Sequence, residues 1–359
     1  MKEPYRLLIL SVALSCGCHG SRLSSSETAA PPPSVGSYDS GPSEPALMAR
    51  LKQQCDVVYP KHTERGGVRC LTGLSVWNAS EGAFATLNSA QGIEELEFVA
   101  TDLRTPAFAE VGKLTSLKCF RTENCNLLPG QLTTIQNLKE LEDLELQFTI
   151  FEESSEKRAQ LLGDLSPEEA QRRDALKRSG LGDHIIQAAL LTDRAIPNLR
   201  HLTSLKTLRL QNTFFSAGGL EHLKPLVDLE VADLGPINLT GATTLPLQGM
   251  TKLRSLRYFN ADDDVAAVLS EISSLEDLDV WSGEVTDIGA GHLINLKKLQ
   301  RLQIRGNRMT DQGLETLSQL PQLRYLDLSY VKKMTSGGIA RFRKLRPDVE
   351  IKYSPSRNP

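Results

Sequence analysis

The residues that could do chemistry in this chain are charged and aromatic side chains at recurring positions. A search for catalytic signatures finds no glycine-rich phosphate loop, GxSxG, HExxH or paired CxxC. Ser154 and Lys157 match an SxxK pattern, but its SDN-like and KTG-like companions are absent. The acidic run at 262–264 lacks the spacing of a calcium-ligand loop and is more typical of a solvated turn. We therefore predict no enzyme, no metal site and no cofactor.

Charged residues recur at the third, fifth and seventh positions of a repeated LxxLxL pattern. Ten of these 30 positions are acidic and five are basic, and both tryptophans of the chain lie at seventh positions. The acidic members are Glu95, Glu97, Glu123, Asp143, Glu145, Asp228, Glu230, Asp277, Asp279 and Asp327. The basic members are Arg121, Arg209, Arg257, Arg301 and Arg305.

Exposed aromatic residues beside charges are typical of interface anchors. The candidate ligand-binding residues are Trp77, Glu95, Glu97, Asp143, Glu145, Arg257, Phe259, Asp277, Asp279, Trp281, Arg301, Arg305 and Tyr325. The alternative is that the carboxylates only keep the sheet soluble and that the aromatic residues pack on neighbouring turns. The net-acidic set favours a protein partner that carries basic residues.

The LxxLxL pattern that carries these residues recurs ten times. Its first positions are Leu71, Ile93, Leu117, Leu141, Leu205, Leu226, Leu253, Leu275, Leu299 and Leu323. The spacings are 21 to 27 residues, apart from one of 64 that equals 24 plus a 40-residue insertion. Positions 1, 4 and 6 point inward and positions 3 and 5 point outward, which predicts one short strand per repeat.

A helix follows each strand in the clearest copies. Thr310 or Asp311 can cap the helix start, as can Thr286 or Asp287 in the preceding copy. The leucines at 314, 317 and 320 then form one apolar stripe. One strand and one helix cannot bury a core alone, but stacked copies can.

The TDxGL helix and the 24-residue period resemble the bacterial form of the leucine-rich repeat family over about residues 71–351. The resemblance implies an α/β fold: a horseshoe-shaped leucine-rich repeat solenoid with a parallel β-sheet on the concave face and short helices on the convex face. It is nearly silent about function, because members of this family recognise proteins, peptides, lipids and glycans alike.

The ends of the solenoid need caps. Residues 47–70 are predicted to form the N-terminal cap, with a helical apolar stripe through Leu51. Cys55 and Cys70 are the candidate disulfide, and two buried free thiols are the alternative. Cys125 is predicted inward and Cys119 outward. The segment RPDVEIKY supplies a last edge strand, and residues 352–359 are a tail.

The insertion is expected at residues 152–197. Ser166 followed by Pro167 and Glu169 predicts a helix start, and a second apolar stretch follows from His184. The hairpin could be a lid, a binding arm or a tolerated surface loop.

The N-terminus predicts the cellular address. Residues 1–18 combine basic Lys2 and Arg6 with a short apolar core, as in a secretory signal. Their end, ALSCGC, resembles the lipobox of bacterial lipoproteins, which makes Cys16 or Cys18 the lipidation candidate; ordinary secretion is the alternative. Residues 19–46 are rich in Ser, Pro and Gly and predict a disordered tether.

Composition excludes other classes of function. The 41 basic and 44 acidic residues give a formal charge of −3, which argues against nucleic acid as a partner. We predict a non-enzymatic protein, lipid-anchored to the bacterial envelope and outside the cytoplasm, in the outer membrane if the host has one. It would bind a protein on its concave face; a structural envelope spacer without a defined ligand is the alternative.

Overall fold

The computed structural model describes residues 44–65, 68–90, 92–147, 150–151, 192–211, 217–235, 245–259, 261–281 and 284–355, with isolated positions between 167 and 174. The predicted signal peptide, Cys16, Cys18, most of the tether and most of the insertion lie outside the described residues. So does the end of the predicted tail.

The described elements alternate between strands and short helices. The strands are β1 (Val57–Arg65), β2 (Val68–Trp77), β3 (Glu95–Val99), β4 (Cys119–Glu123), β5 (Asn126–Leu127), β6 (Asp143–Gln147), β7 (Ile150–Phe151), β8 (Thr207–Arg209), β9 (Val231–Asp233), β10 (Ser255–Phe259), β11 (Asp277–Trp281), β12 (Arg301–Arg305), β13 (Tyr325–Val331) and β14 (Glu350–Pro355). The α-helices are α1 (Glu44–Gln54), α2 (Glu81–Asn88), α3 (Leu132–Ile135), α4 (Ala217–Leu220), α5 (Asp263–Leu269), α6 (Asp287–Leu293), α7 (Asp311–Leu317) and α8 (Ser336–Leu345). The 3-10 helices are Pro106–Lys113, Pro129–Gln131, Ile196–His201, Glu221–Leu223 and Leu245–Gly249.

One twelve-stranded sheet runs through the described repeats in the order β1-β2-β3-β4-β6-β8-β9-β10-β11-β12-β13-β14. Strand β1 is antiparallel to β2, and each later neighbour is added in parallel. Strands β5 and β7 form a small second sheet. The predicted solenoid, with a parallel sheet on one face and short helices on the other, is confirmed.

The core is a single column of buried side chains between the sheet and the helices. The leucines at the first, fourth and sixth positions are nearly all inaccessible to solvent, and so is Cys125. In the first repeats the column is aromatic: Phe84 stacks on Phe98 at 5.3 Å, and Phe108 and Phe120 complete the cluster. Because each repeat contributes one layer, burial of this column depends on stacking between repeats.

The register corrects one repeat boundary. Val231 pairs with Thr207 on one side and with Ser255 on the other, which makes Leu229 the first position of its repeat. The predicted start at Leu226 is therefore wrong by three residues, and the spacings of 21 and 27 become 24 and 24. The segment LVDLEVADL fits the pattern in both frames, and the true frame places Ala232 at the fourth position.

A side-chain clasp joins the C-terminal repeats. Thr310 caps α7, whereas Asp287, one repeat earlier, accepts hydrogen bonds from Thr310 N at 2.7 Å, Thr310 Oγ1 at 2.6 Å and Gly313 N at 2.9 Å. A Cβ on Gly313 would lie 2.4 Å from Asp287 Oδ1, so the glycine makes room for the carboxylate. Asp263 makes the same contacts with the next TDxG segment. The motif therefore caps its own helix and bonds the following repeat.

The last repeat lacks the aspartate of this clasp. Thr335 caps α8 and donates hydrogen bonds from its N and Oγ1 to the carboxylate of Asp311, but Ser336 stands at the aspartate position. No repeat follows α8 in the described chain, so a carboxylate there would have no threonine to bind. Arg346 closes this end by donating to the carbonyl oxygens of 318, 320 and 323. Strand β14 extends to Pro355, beyond the predicted start of the tail at Lys352.

The N-terminal cap is a helix followed by a hairpin. Helix α1 begins at Glu44, inside the predicted tether, and buries Leu47 and Leu51. The antiparallel strand β1 was not predicted.

The proposed disulfide between Cys55 and Cys70 is wrong. Cys55 lies just before the pair Val57↔Trp77, whereas Cys70 pairs with Thr63, about 20 Å further along the hairpin. A disulfide spans at most about 7 Å between Cα atoms. Cys55, Cys119 and Cys125 are free thiols, and burial raises their pKa values to about 11, 12 and 11. They are therefore protonated and unreactive at neutral pH.

Candidate functional site on the concave face

The concave face is the side of the twelve-stranded sheet that the helices leave uncovered. Strand pairing aligns its side chains into rows across the repeats. The row of fifth positions reads Ser75, Glu97, Arg121, Glu145, Arg209, Asp233, Arg257, Asp279, Gln303, Asp327 and Lys352. The signs of the charges alternate along this row, and only Gln303 interrupts them. Oppositely charged residues on adjacent strands attract one another, so most charges of this row can form ion pairs with their neighbours in the row.

The face carries more cations than the sequence analysis assigned to it. Its carboxylates are Glu95, Glu97, Glu123, Asp143, Glu145, Asp233, Asp277, Asp279, Asp327 and Glu350. Its cations are Lys61, Arg121, Arg209, Arg257, Arg301, Arg305 and Lys352. The corrected frame removes Asp228 and Glu230 and adds Asp233, while the end strands add Glu350, Lys61 and Lys352. The face remains net acidic, by three charges instead of five.

A continuous chain of ion pairs, which we call the C-terminal ladder, crosses β9 to β14. Its members, in order, are Asp233, Arg257, Asp279, Arg305, Asp327 and Lys352. Successive N···O distances are 3.3, 3.1, 3.4, 3.3 and 3.3 Å. The side chains of Asp279 and Asp327 are only 5% and 1% exposed. These carboxylates are thus occupied by neighbouring repeats.

Burial raises the pKa values of two of the three carboxylates in the ladder. It raises the pKa of Asp279 above its ordinary value, and the nearby Arg305 and Arg257 only partly offset this. Burial also raises the pKa of Asp233, opposed by Arg257. For Asp327 burial acts in the same direction, but hydrogen bonds from Ser329 and the nearby cations outweigh it and hold the pKa low. Two of the ladder's carboxylates therefore resist ionisation and one favours it.

A second set of ion pairs spans β1 to β8. Arg121 lies 2.8 Å from Asp143 and 3.6 Å from Glu145, and Arg209 approaches the same two carboxylates at 3.6 and 3.8 Å. Lys61 bonds Glu95 at 2.9 Å. Burial raises the pKa of Glu145, opposed by Arg209 and Arg121. This cluster is also neutralised largely from within.

The row of third positions is more open at its C-terminal end. The Arg301 guanidinium lies 4.4 Å from the centre of the Tyr325 ring, a cation–π contact, and 3.7 Å from Asp277. Burial raises the pKa of Asp277, opposed by Arg301 and Arg257. Arg301 is half exposed, so this trio could contact a partner without disturbing the ladder.

The opposite end of the face has a different character, and we call it the N-terminal patch: Val57, Tyr59, Trp77, Glu97 and Glu123. Val57 pairs with Trp77 across the hairpin, and the three apolar side chains are 37%, 57% and 40% exposed. Glu97 and Glu123 make no ion pair with any described residue, although both lie on the same face. Of the other carboxylates on the face, only Glu350 at the far edge shares this property. Exposed apolar surface and unpaired charge therefore coincide here.

The predicted site residues fall into two separate groups. Trp77, Glu95, Glu97, Asp143 and Glu145 lie on β2 to β6. The other group comprises Arg257, Phe259, Asp277, Asp279, Trp281, Arg301, Arg305 and Tyr325, on β10 to β13. The backbones of Phe259 and Trp281 are paired in register, but their side chains lie outside the described atoms.

Sequence reasoning missed Val57, Tyr59 and Lys61 because it treated their segment as part of a helical cap. A signal was available: the segment VVYPKHTER begins with β-branched and aromatic residues, which favour a strand, and Gly66-Gly67 follows it, which is typical of a hairpin turn. Asp233 was missed through the frame error at Leu226.

The acidic run and the SxxK match add no second candidate site among the described residues. No group of His, Cys, Asp and Glu side chains there could hold a metal ion. Within the acidic run, Asp262 caps α5 through Val265 N and Asp263 belongs to the clasp. The SxxK match at 154–157 lies outside the described chain. Among the helices that the structure describes, none is long and apolar enough to cross a bilayer.

Comparison with known proteins bears on the fold. Residues 273–330 match the leucine-rich repeat family model. Taken with the sheet topology, this decides the architecture. The fold is a leucine-rich repeat solenoid. No curated protein sequence matches the chain.

Three solved structures are similar to this chain at low identity. An internalin (InlF) from Listeria monocytogenes is 16% identical, with 87% of this chain and 89% of that chain covered and a TM-score of 0.43. Internalin C2 from the same organism is 17% identical, with coverages of 86% and 93% and a TM-score of 0.39. The ectodomain of the plant receptor kinase GASSHO1/SCHENGEN3 from Arabidopsis thaliana, in complex with CASPARIAN STRIP INTEGRITY FACTOR 2, is 15% identical, with coverages of 77% and 34% and a TM-score of 0.41.

Proposed function

We propose that this leucine-rich repeat protein is non-enzymatic, is lipid-anchored outside the cytoplasm, and binds a protein partner on its concave face. The observation that carries the proposal is a long, continuous sheet face with exposed aromatic residues at one end. Twelve strands about 4.8 Å apart give a surface on the order of 50 Å long. Solenoids use such extended surfaces for recognition.

The chemistry of the face favours a basic partner. Carboxylates outnumber cations on it, and Trp77 and Tyr59 offer large, rigid contact area. In such interfaces charge chiefly sets the association rate and selectivity, while buried aromatic anchors supply much of the affinity.

The anchoring part of the proposal comes from the N-terminal sequence. A short basic and apolar start, two candidate cysteines and a Ser/Pro/Gly-rich segment are the features of a lipid-anchored protein on a tether. It is tested by incorporation of a labelled fatty acid into the wild type and into Cys16→Ala, Cys18→Ala and double variants. Loss of label in one single variant identifies the lipidated cysteine, and label in the double variant refutes the assignment.

Crosslinked pull-down from host envelope extract tests the binding part. The baits are the full-length protein and two concave variants. One variant combines Trp77→Ala and Glu97→Gln, and the other combines Trp281→Ala and Asp277→Ala. A protein recovered by the unmodified bait and lost with at least one variant supports concave binding. Equal recovery by all three baits places the interface elsewhere, and no specific recovery counts against a protein ligand.

The second candidate function is a rigid envelope spacer without a ligand. The ion-pair ladder favours it, because most of the charges on the concave face already satisfy one another. A spacer predicts that concave substitutions leave envelope phenotypes unchanged while removal of the tether changes them.

A further inference from the structure

Some carboxylates of the concave face form ion pairs and others do not. Two of the unpaired ones lie together on β3 and β4. From Asp143 to Asp327 every face carboxylate of the described repeats lies within 4 Å of an arginine or lysine. On β3 and β4, Glu97 and Glu123 have no such neighbour among the described residues. Arg121, directly across from Glu97, turns instead toward Asp143 at 2.8 Å. A partner's cation would therefore find these two carboxylates unoccupied.

The apolar part of the patch lies beside these carboxylates. Ser75 pairs with Glu97 and Trp77 with Val99, so Trp77 and Glu97 are diagonal neighbours on adjacent strands. Val99 pairs in turn with Glu123, two strands from Trp77. These relations put Trp77 roughly 8 Å from Glu97 and about 10 Å from Glu123 between Cα atoms. Tyr59 and Val57 extend the apolar surface onto β1.

This spacing matches an extended peptide. Side chains on the same face of a strand repeat about every 6.8 Å, which is close to the diagonal step from Trp77 to Glu97. A peptide with a basic and an apolar side chain two residues apart, on the same face, could set the guanidinium between Glu97 and Glu123 and the apolar side chain near the Trp77 ring. Arginine suits this position, because it forms planar ion pairs with carboxylates and also stacks on aromatic faces. An acidic peptide would meet uncompensated repulsion.

We propose that the N-terminal patch is the specificity subsite of the concave face, and that it takes an extended protein segment in which an arginine and an apolar residue lie two positions apart, on the same face. The inference rests on the proposed binding function and narrows it to one end of the solenoid. The C-terminal ladder then serves as a rigid support that contributes little attraction of its own.

A fluorescence titration tests the subsite. The full-length protein with Trp281→Phe leaves Trp77 as the single tryptophan. The probe is an acetylated, amidated nonapeptide whose odd positions alternate between arginine and leucine and whose even positions are serine, compared with peptides of the same length that carry glutamate or glutamine in place of arginine. The expected result is a saturable shift in Trp77 emission with the arginine peptide, and at least about tenfold weaker binding of the other two.

Charge-matched variants locate the binding. Glu97→Gln with Glu123→Gln should raise the Kd of the arginine peptide about tenfold. Glu140→Gln with Glu315→Gln removes two exposed carboxylates away from the face, and should change the Kd less than twofold. An equal loss in both double variants would mean non-specific charge attraction and would overturn the proposal. So would an absent emission shift, or unchanged affinity in the Glu97/Glu123 variant.

Failure here can be separated from failure of the proposed function. If pull-down recovers a partner that also binds the Glu97/Glu123 double variant, concave binding stands and this subsite is wrong. If pull-down recovers nothing, the broader proposal fails, while the peptide titration still decides whether the patch binds arginine-bearing segments.

Discussion

The two ends of the concave face use the same kinds of residue for different purposes. In the C-terminal ladder, each carboxylate is held by an arginine or lysine from a neighbouring repeat, and Asp279 and Asp327 are almost fully buried. In the N-terminal patch, Glu97 and Glu123 are partly exposed and unpaired within the described chain, beside exposed Trp77. Residue type alone therefore does not distinguish a structural charge from one that is available to a partner.

The position of a charge in its row decides whether it is structural or available to a partner. An alternating row neutralises itself, because each charge has an opposite neighbour about 4.8 Å away on the next strand. A carboxylate remains available where its cross-strand cation has a better partner, as Arg121 has in Asp143. Charge on a repeat surface is best interpreted across repeats as well as within one.

The largest expected contrast between the two ends is in stability. Arg305→Gln leaves the buried Asp279 and Asp327 short of a cation, and breaking a buried ion pair in this way costs about 3 kcal/mol. Glu97→Gln, at a partly exposed and unpaired site, should stay within about 0.5 kcal/mol. Urea unfolding of both variants checks this. Similar losses would mean that the two ends do not differ in the way described.

The clasp sharpens the contrast, because its full Asp–Thr–Gly form recurs only in the C-terminal repeats of the described chain. Asp287→Ala removes the acceptor of three hydrogen bonds and should destabilise the protein by about 2 kcal/mol. Gly313→Ala should also destabilise, through the clash with Asp287 Oδ1. Gly291→Ala on α6, where an added Cβ meets nothing within 4 Å, is the control and should be neutral or stabilising. A destabilised Gly291→Ala variant would point to a general effect of helix substitution.

Opposite pKa shifts within the ladder predict opposite pH effects. The lowered pKa of Asp327 means that its ionised form stabilises the fold above about pH 4, and that this contribution is lost as pH falls through the folded pKa. The raised pKa of Asp279 means the reverse: the wild type gains stability as pH falls through its folded pKa. The deficit of Asp327→Asn relative to wild type should therefore shrink on acidification, whereas that of Asp279→Asn should grow. Denaturant midpoints between pH 3 and 7 measure both.

The sequence was sufficient for the architecture because the repeats are redundant. Inward leucines, threonine caps and a 24-residue period indicate the same strand-and-helix unit in many copies. The wrong frame at Leu226 therefore did not change the predicted fold. The same redundancy could not reveal the clasp, because Asp287 serves the next repeat rather than its own helix. Contacts between repeats depend on register, which only the structure supplies.

The candidate site was predicted less well, for a physical reason. Outward positions identify which residues reach the concave face, and the structure places the predicted residues on strands of that face. The outward positions do not indicate whether the carboxylate of Asp279 or of Glu97 is unpaired, because that depends on the conformation of long arginine side chains from adjacent strands. Strand β1 of the cap, which carries Tyr59, was not predicted because caps do not follow the repeat pattern.

The smallest expected effect concerns the one break in the alternating row. Gln303 lies between Asp279 and Asp327, where the alternation calls for a cation, and Arg305 reaches across from the seventh position to bond both carboxylates. Because the carboxylates are already paired, Gln303→Lys should change the free energy of unfolding by less than about 0.5 kcal/mol. In the Arg305→Gln background the same lysine should restore more stability than it adds to the wild type, and Gln303→Glu should restore none. A double-mutant cycle by urea unfolding measures this coupling, and simple additivity would show that Arg305 stabilises the fold by packing rather than as the missing cation of the row.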